Sequence, residues 1–227
     1  MSEPGFRRVL AFDCSGASCS AALWVEGRLA AERFAEMERG QAETLMPQIQ
    51  AVMAESGLDF PALDVLATTI GPGSFTGLRL GLAAARGLAL AAERPIVAMT
   101  SFEALLAGLP ADVPPGRPVA IAIDSRRGPV FAQLFGPDHA PLGPPASVEP
   151  ADFERWLPPG EVLVLADRTA DLPATSPRRT VWRAAIRAAD VARLAARLGP
   201  AGIGRLAPAP LYLRAPDVTA PRKRGAP

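Results

Sequence analysis

Val9-Leu-Ala-Phe-Asp13-Cys-Ser-Gly16 and Ala120-Ile-Ala-Ile-Asp124-Ser-Arg-Arg-Gly128 share one plan. Each is an apolar run that ends on Asp and passes into a small polar turn. A second strand-like run follows in both cases, Cys19–Val25 and then Val130–Phe135. The two Asp residues stand close to half of the 227-residue chain apart. The repeat reads as an internal duplication. Arg8–Asp13 is almost wholly apolar, as a central strand requires.

Outward from that strand, Cys19–Val25 and Arg28–Phe34 are joined by Glu26-Gly27, a tight-hairpin pair. Gln41–Ser56 follows as a helix, with Leu45, Ile49, Val52 and Met53 at helical spacing and Gly57 as its C-cap. Val65–Ile70 is a strand, Thr76–Ala92 a second helix, and Pro95–Met99 a strand. Thr100-Ser-Phe-Glu103 fits a capping box that opens a short third helix. The order is β-β-β-α-β-α-β-α. After its first two strands the second half is less regular. Gly136–Pro150 reads as loop, Ala151–Leu157 as a short helix and Glu161–Ala166 as a strand. Arg183–Leu198 reads as a helix with Arg187, Val191, Leu194 and Leu198 on one stripe.

A three-strand meander followed by βα units, repeated once, resembles the duplicated α/β fold of actin, Hsp70 and the sugar kinases, with ribonuclease H-like halves. In that fold the two β-turns face a cleft and hold phosphate, because a turn of small residues presents several backbone N–H groups to an anion.

Ile70-Gly-Pro-Gly-Ser-Phe-Thr-Gly-Leu-Arg-Leu-Gly81 lies between a strand and a helix. Gly71 and Gly73 permit positive φ and close backbone approach, and Ser74 or Thr76 can cap the helix. Two readings stay open. In one, Ser15, Gly71, Gly73, Ser74, Thr76 and Gly77 cradle an anion at a helix N-terminus, with Arg79 about one turn inside. In the other, the glycines make a tight turn and let the helix pack closely. The run lacks the Lys-Ser/Thr pair of a Walker loop, and its third glycine is one place late for a dinucleotide fold. Asp13 and Asp124 divide the same way: magnesium or water positioning beside a nucleotide, or organisation of their own turns. Cys14 and Cys19 flank the first turn and read as buried thiols. The second helix is apolar nearly all round, which suits a buried element or one that gains a second buried face by association.

Composition narrows the classes. The chain holds 44 Ala, 25 Pro, 20 Gly, 23 Arg, one Lys, one His, two Cys and no Asn. With 49% apolar residues and a net charge of +1, it has enough material for a core and no global pull towards nucleic acid or a membrane. Two cysteines build neither a disulfide framework nor a Cys-rich zinc site. The polar start over Met1–Arg8 is unlike a signal peptide, and no apolar run of about 18 residues suggests a spanning helix. A reduced, cytoplasmic protein is the expectation. Charge and proline divide the chain near residue 108: residues 1–107 carry −4 and 5 prolines, and residues 108–227 carry +5 and 20 prolines. Residues 1–107 are therefore expected as an N-terminal subdomain and 108–227 as a C-terminal subdomain whose last helix packs back on the first. The stretch 108–116 is the expected linker. Arg126, Arg127, the helix 183–198 and the tail Arg222-Lys-Arg224 are the basic concentrations, readable as tRNA or acidic-partner contacts or as solvated faces. The 23:1 ratio of Arg to Lys makes each such cluster less specific.

Gly71-Pro-Gly-Ser-Phe-Thr-Gly-Leu-Arg79, after Asp13-Cys-Ser, resembles the TsaB family, as do Glu43-Thr-Leu-Met-Pro47, Asp124-Ser-Arg-Arg-Gly128 and Pro210-Leu-Tyr-Leu-Arg-Ala-Pro216. The resemblance implies a non-catalytic subunit that pairs with a TsaD-type threonylcarbamoyl transferase, together with a TsaE-type ATPase subunit. The modified base is adenosine 37 of tRNAs reading A-starting codons, so tRNA is met indirectly. It also implies that the first two helices form the partner interface, through Leu45, Ile49, Met53, Leu78, Leu82 and Ala85, and permits a homodimer of the chain alone. The catalytic paralogue holds its metal through paired histidines on a helix. This chain has Gln41-Ala-Glu43 there and its one histidine, His139, in a loop, so neither a metal nor a cofactor is expected. Two rivals stand beside this reading. A small-molecule kinase or ATPase would use Asp13, Asp124 and the glycine loop, and would need an adenosine-binding motif better than Gly199-Pro-Ala-Gly-Ile-Gly204. A glycoprotease-like peptidase would need the missing histidines.

Overall fold

The computed structural model describes residues 5–110, 113, 116–126, 128–172 and 179–213. β1 (Arg8–Asp13), β2 (Ser18–Val25) and β3 (Arg28–Glu36) form an antiparallel meander. Glu26 and Gly27 join β2 to β3 with φ of 49° and 82°, the pair of positive φ values that a type I′ hairpin requires. α1 (Gln41–Ser56) ends on Gly57 in the left-handed region. β4 (Val65–Thr69) lies parallel to β1, α2 (Phe75–Ala92) crosses over, and β5 (Ile96–Met99) lies parallel to β4. α3 (Ser101–Ala107) opens with the Thr100–Glu103 capping box. This is the β-β-β-α-β-α-β-α order read from the sequence.

The second half contains β6 (Val119–Asp124), β7 (Val130–Phe135), β8 (Ala146–Val148), α4 (Phe153–Trp156), β9 (Val162–Asp167), β10 (Arg179–Ala184) and α5 (Ala188–Leu198). The first sheet has the order β3-β2-β1-β4-β5 and the second the order β8-β7-β6-β9-β10. The plans coincide strand for strand, so the repeated Asp-ending strands β1 and β6 occupy equivalent central places. The chain has the duplicated actin-like α/β fold.

Two local expectations are corrected. The stretch expected as one helix over 183–198 is divided between β10 and α5. Thr180, Val181 and Trp182 favour extended backbone, and β9 offers β10 a parallel partner at all six positions. Arg183 thus shares no helix face with Arg187. The loop expected over 136–150 contains β8, which pairs with β7 across Val130–Ala132. Neither ladder is visible in local periodicity. The stretch 168–178 is shorter than α2 and holds no counterpart of it among the described residues.

Alternation along the strands sorts the side chains into layers. Val9 and Ala11 of β1 face a central core, whereas Leu10 and Phe12 face the layer of α1 and α2. The central core takes side chains from both sheets and, between them, Phe102 and Leu105 of α3 and Val191 and Ala195 of α5. The two helices are exchanged: α5 lies against β1, β2 and β4, α3 lies against β6 and β9, and they touch each other. Beyond the second sheet, Phe153 of α4 closes the outer face. α2 is long and apolar enough to cross a membrane by length and composition alone, which amends the expectation of no such run. Its face of Leu78, Leu82 and Ala85 is buried within the chain.

Phe102 packs between the two sheets with no exposed surface. Phe102→Ala is expected to destabilise the chain by about 3–5 kcal/mol and to leave one cooperative urea transition. The check is whether circular dichroism and tryptophan fluorescence report the same midpoint; separated transitions would contradict a shared core.

Candidate functional site

Asp13 closes β1 and is wholly buried. Its Oδ1 accepts from Ser15 Oγ at 2.8 Å and from Thr69 Oγ1, and its Oδ2 accepts from the Ser15 N–H at 3.2 Å. Burial pushes the carboxyl above its ordinary value, and the hydrogen bonds from Thr69 and Ser15 oppose that rise. The carboxylate ties its own turn to β4 and offers no surface to a ligand.

Gly71, Pro72 and Gly73 carry the chain from β4 into α2. Ser74 caps α2, its Oγ accepting from the Gly77 N–H at 3.3 Å, and its own N–H donates to Ser15 O at 2.6 Å. A Cβ at Gly73 would stand 2.5 Å from Ser15 O, and one at Gly77 would stand 1.9 Å from Cys14 O. Cys14 Sγ in turn donates to Gly77 O at 3.2 Å. Burial pushes this thiol up, with Asp13 adding to the effect, and holds Cys19 at about 11. Gly71 has φ of +110°, and its carbonyl accepts from the Ser101 N–H at 2.8 Å. Of the two readings of the glycine loop, the geometry supports the packing turn. The glycines let α2 rest on the β1–β2 turn, and Ser74 N–H already has a protein acceptor.

Arg79 does not point into that loop. Its guanidinium carbon lies 3.7 Å from the centroid of the Phe75 ring, and its Nε donates to Tyr212 Oη at 3.1 Å. Phe75 and Tyr212 stack with centroids 5.5 Å apart. Arg86 donates from Nε and Nη2 to Pro208 O at 3.1 and 2.6 Å, and Leu211 N–H donates to Ile70 O at 2.7 Å. Two motifs far apart in sequence therefore meet, the C-terminal segment lying along one flank of α2. Thr76 is exposed on the first turn of α2.

In the second half, Asp124 Oδ1 accepts from Arg126 N–H at 2.6 Å, and Asp124 N–H donates to Asp167 Oδ2 at 2.9 Å. Asp167 also accepts from the Thr169 and Ala170 N–H groups at 2.9 and 2.7 Å; burial raises its carboxyl and these bonds oppose the rise. A cleft of about 340 Å³ lies between the halves, lined by Ser15, Gly16 and Pro72 on one side and Asp167, Arg168 and Ile186 on the other. An Arg168–Glu36 ion pair joins the two sides. Neither Asp13 nor Asp124 lines the cleft. Asp167 was missed in the sequence, although Val162–Asp167 is a third apolar run that ends on Asp.

The six side chains expected at a partner interface are all engaged inside the chain. Leu45, Ile49, Met53, Leu78, Leu82 and Ala85 are each 4% exposed or less. They form the core under α1 and α2, so they do not reach a partner directly. Outward on the same helices are Thr76, Ala83, Gly87 and Leu90 of α2 and Met46 and Gln50 of α1. Leu90 is 83% exposed. The arginines of the C-terminal helix are largely committed: Arg187 grips Glu32 at 2.6 Å and lies over Phe34, while Arg193 pairs with Asp190 at 2.7 Å. Arg127, Arg214 and the tail Arg222-Lys-Arg224 lie outside the described residues, as does part of the 108–116 linker. Among the described residues no group of three or more His, Cys, Asp or Glu could hold a metal ion.

The family model described as TsaD, tRNA N6-adenosine threonylcarbamoyltransferase, matches residues 35–168. The tRNA threonylcarbamoyladenosine biosynthesis protein TsaB of Escherichia coli (strain K12) is 36% identical over 124 residues, which cover 55% of this chain and 53% of that protein. The chain spans about half the length of the curated TsaB relatives it matches. An uncharacterized protein of Mycobacterium tuberculosis (strain ATCC 25618 / H37Rv) is 30% identical over 197 residues, 77% of this chain and 91% of that one. The solved structure of YeaZ from Pseudomonas aeruginosa superposes with a TM-score of 0.76 at 26% identity, covering 91% of this chain and 100% of that chain.

Two outcomes follow from the site's packing. Gly77→Ala forces a Cβ against the backbone at Cys14, so a loss of about 2 kcal/mol or more is expected, read as a fall in the urea midpoint; an unchanged midpoint would contradict the contact. Asp13 binds a proton more tightly folded than unfolded. Its contribution is therefore complete below the unfolded value of 3.8 and is lost as pH rises through the raised folded value. Unfolding free energies at pH 4 and pH 7 should show the native chain losing ground to Asp13→Asn as pH rises, and the reverse trend would contradict the assignment.

Proposed function

This chain belongs to the TsaB family, within the wider TsaD-type family, and from that membership we propose that it works as a non-catalytic partner subunit in tRNA threonylcarbamoyladenosine synthesis. It pairs with a TsaD-type transferase, which carries the chemistry at adenosine 37, and acts alongside a TsaE-type ATPase. It meets tRNA through that assembly and works in the cytoplasm.

The observation that carries the reading is the sealed first turn. In a phosphotransferase of this fold, the turn and glycine loop must present N–H groups and a carboxylate to the cleft. Here Asp13 is buried, Ser74 N–H donates to Ser15 O, and Gly73 and Gly77 are filled by backbone. The kinase reading loses its machinery, and the peptidase reading lacks its histidines. What α2 offers instead is an outward strip of small side chains, Thr76, Ala83 and Gly87, ending at Leu90 and flanked by α1 and the C-terminal segment. Small residues admit close approach of another helix, and the exposed Leu90 supplies apolar area. We assign this strip, and not the six buried residues, as the partner-facing surface.

The reading is tested by purifying the chain with TsaD-type and TsaE-type subunits and assaying tRNA modification. Co-elution with the transferase, and modification only in its presence, is the expected result; modification by this chain alone, or no co-elution, would sink the proposal. Ala83→Glu should weaken pairing at least about tenfold through a desolvated charge, with the melting temperature preserved. Leu82→Glu, by contrast, should unfold the chain.

A further inference from the structure

Where the C-terminal end of α3 meets α5, there is a cavity of about 270 Å³. Arg117, Arg193, Arg197 and His139 line it, over an apolar floor that includes Leu106 and Val119. No carboxylate among the described residues lines it. Arg117 and Arg193 have acids nearby, Glu161 at 3.0 Å and Asp190 at 2.7 Å, and Arg193 also donates to Ala107 O. A guanidinium carries five N–H donors, so one carboxylate leaves several of them unused. Arg197 stands one helical turn beyond Arg193 and has neither an acid nor a hydrogen-bond acceptor among the described residues. It and His139 also line the adjoining cavity of about 300 Å³, where Arg205 pairs with Glu103.

We propose that this cavity is a binding site for a small phosphate-bearing anion of about the size of pyrophosphate. Its cationic groups converge from separate elements, Arg117 from the approach to β6 and Arg193 and Arg197 from α5, and the His139 ring joins them from the loop after β7. Tertiary structure, and not one helix, builds the cluster. Like charges at i,i+4 on one helix repel, and an anion seated between Arg193 and Arg197 removes that repulsion. The planar guanidinium fork matches the paired oxygens of a phosphate. The His139 ring adds an N–H donor. The cavity volume lies below the range typical of drug-sized ligands, which favours a bare phosphate group over a whole nucleotide. The same chemistry would serve a free phosphate or pyrophosphate and a phosphate of an RNA backbone.

The test is calorimetric titration of the full chain with sodium pyrophosphate at constant ionic strength. Saturable binding at one site is expected. Arg197→Gln should weaken it about tenfold or more, the loss of one charge-assisted contact, with the ligand-free melting temperature unchanged. Arg28→Gln, on the exposed start of β3, should bind as the native chain does. Absence of saturable binding, or equal affinity in Arg197→Gln, would overturn the site. A tRNA transcript added as competitor separates the sources. Displacement of pyrophosphate from the native chain marks an RNA phosphate as the occupant, and its failure marks a free anion; both outcomes uphold the site.

Discussion

The contact on which the structure turns is that between Gly77 and the carbonyl of Cys14. A side chain at Gly77 would place its Cβ 1.9 Å from that oxygen, so α2 can seat on the β1–β2 turn only where no Cβ exists. Once seated, the helix fixes much around it. Ser74 reaches Ser15 O, Asp13 is shut in with Thr69, and the far flank of α2 receives Pro208 and Tyr212 through Arg86 and Arg79. The space at Gly73 and Gly77 is filled by the carbonyls of Ser15 and Cys14.

The second constraint is the exchange of α3 and α5. Each helix packs on the sheet of the other half, so the apolar faces of both sheets empty into one core. Glu32 and Glu36 of β3 reach across to Arg187 and Arg168 outside that core. Such exposed pairs add little stability singly. Their effect here is to orient residues at the mouth of the cleft, while apolar burial holds the halves together.

Charge in the second half is less free than its +5 balance suggests. Arg117, Arg126, Arg155, Arg168, Arg187, Arg193 and Arg205 all have carboxylates within ion-pair distance. Among the described residues of the second half, Arg183 has only the Ala170 carbonyl as a partner, and Arg197 has neither an acid nor an acceptor.

The sequence by itself determined the fold. Two apolar runs ending on Asp13 and Asp124, each followed by a turn and a strand, dictate a duplicated sheet, because a short apolar run and its turn residues act over a few neighbouring positions. The capping box at Thr100 and the glycine at Gly57 are local in the same sense. Only the tertiary structure decided the rest. Arg183 and Ala184 become strand because β9 lies beside them, and no window over 183–198 contains β9. Leu45, Leu78 and Leu82 read equally as core or interface, since periodicity marks an apolar face without saying what covers it. The glycine run was ambiguous between cradle and packing turn until the Cys14 and Ser15 carbonyls were seen to occupy it. They lie some sixty residues upstream, and a backbone atom that fills a space leaves no trace in the residues that line it.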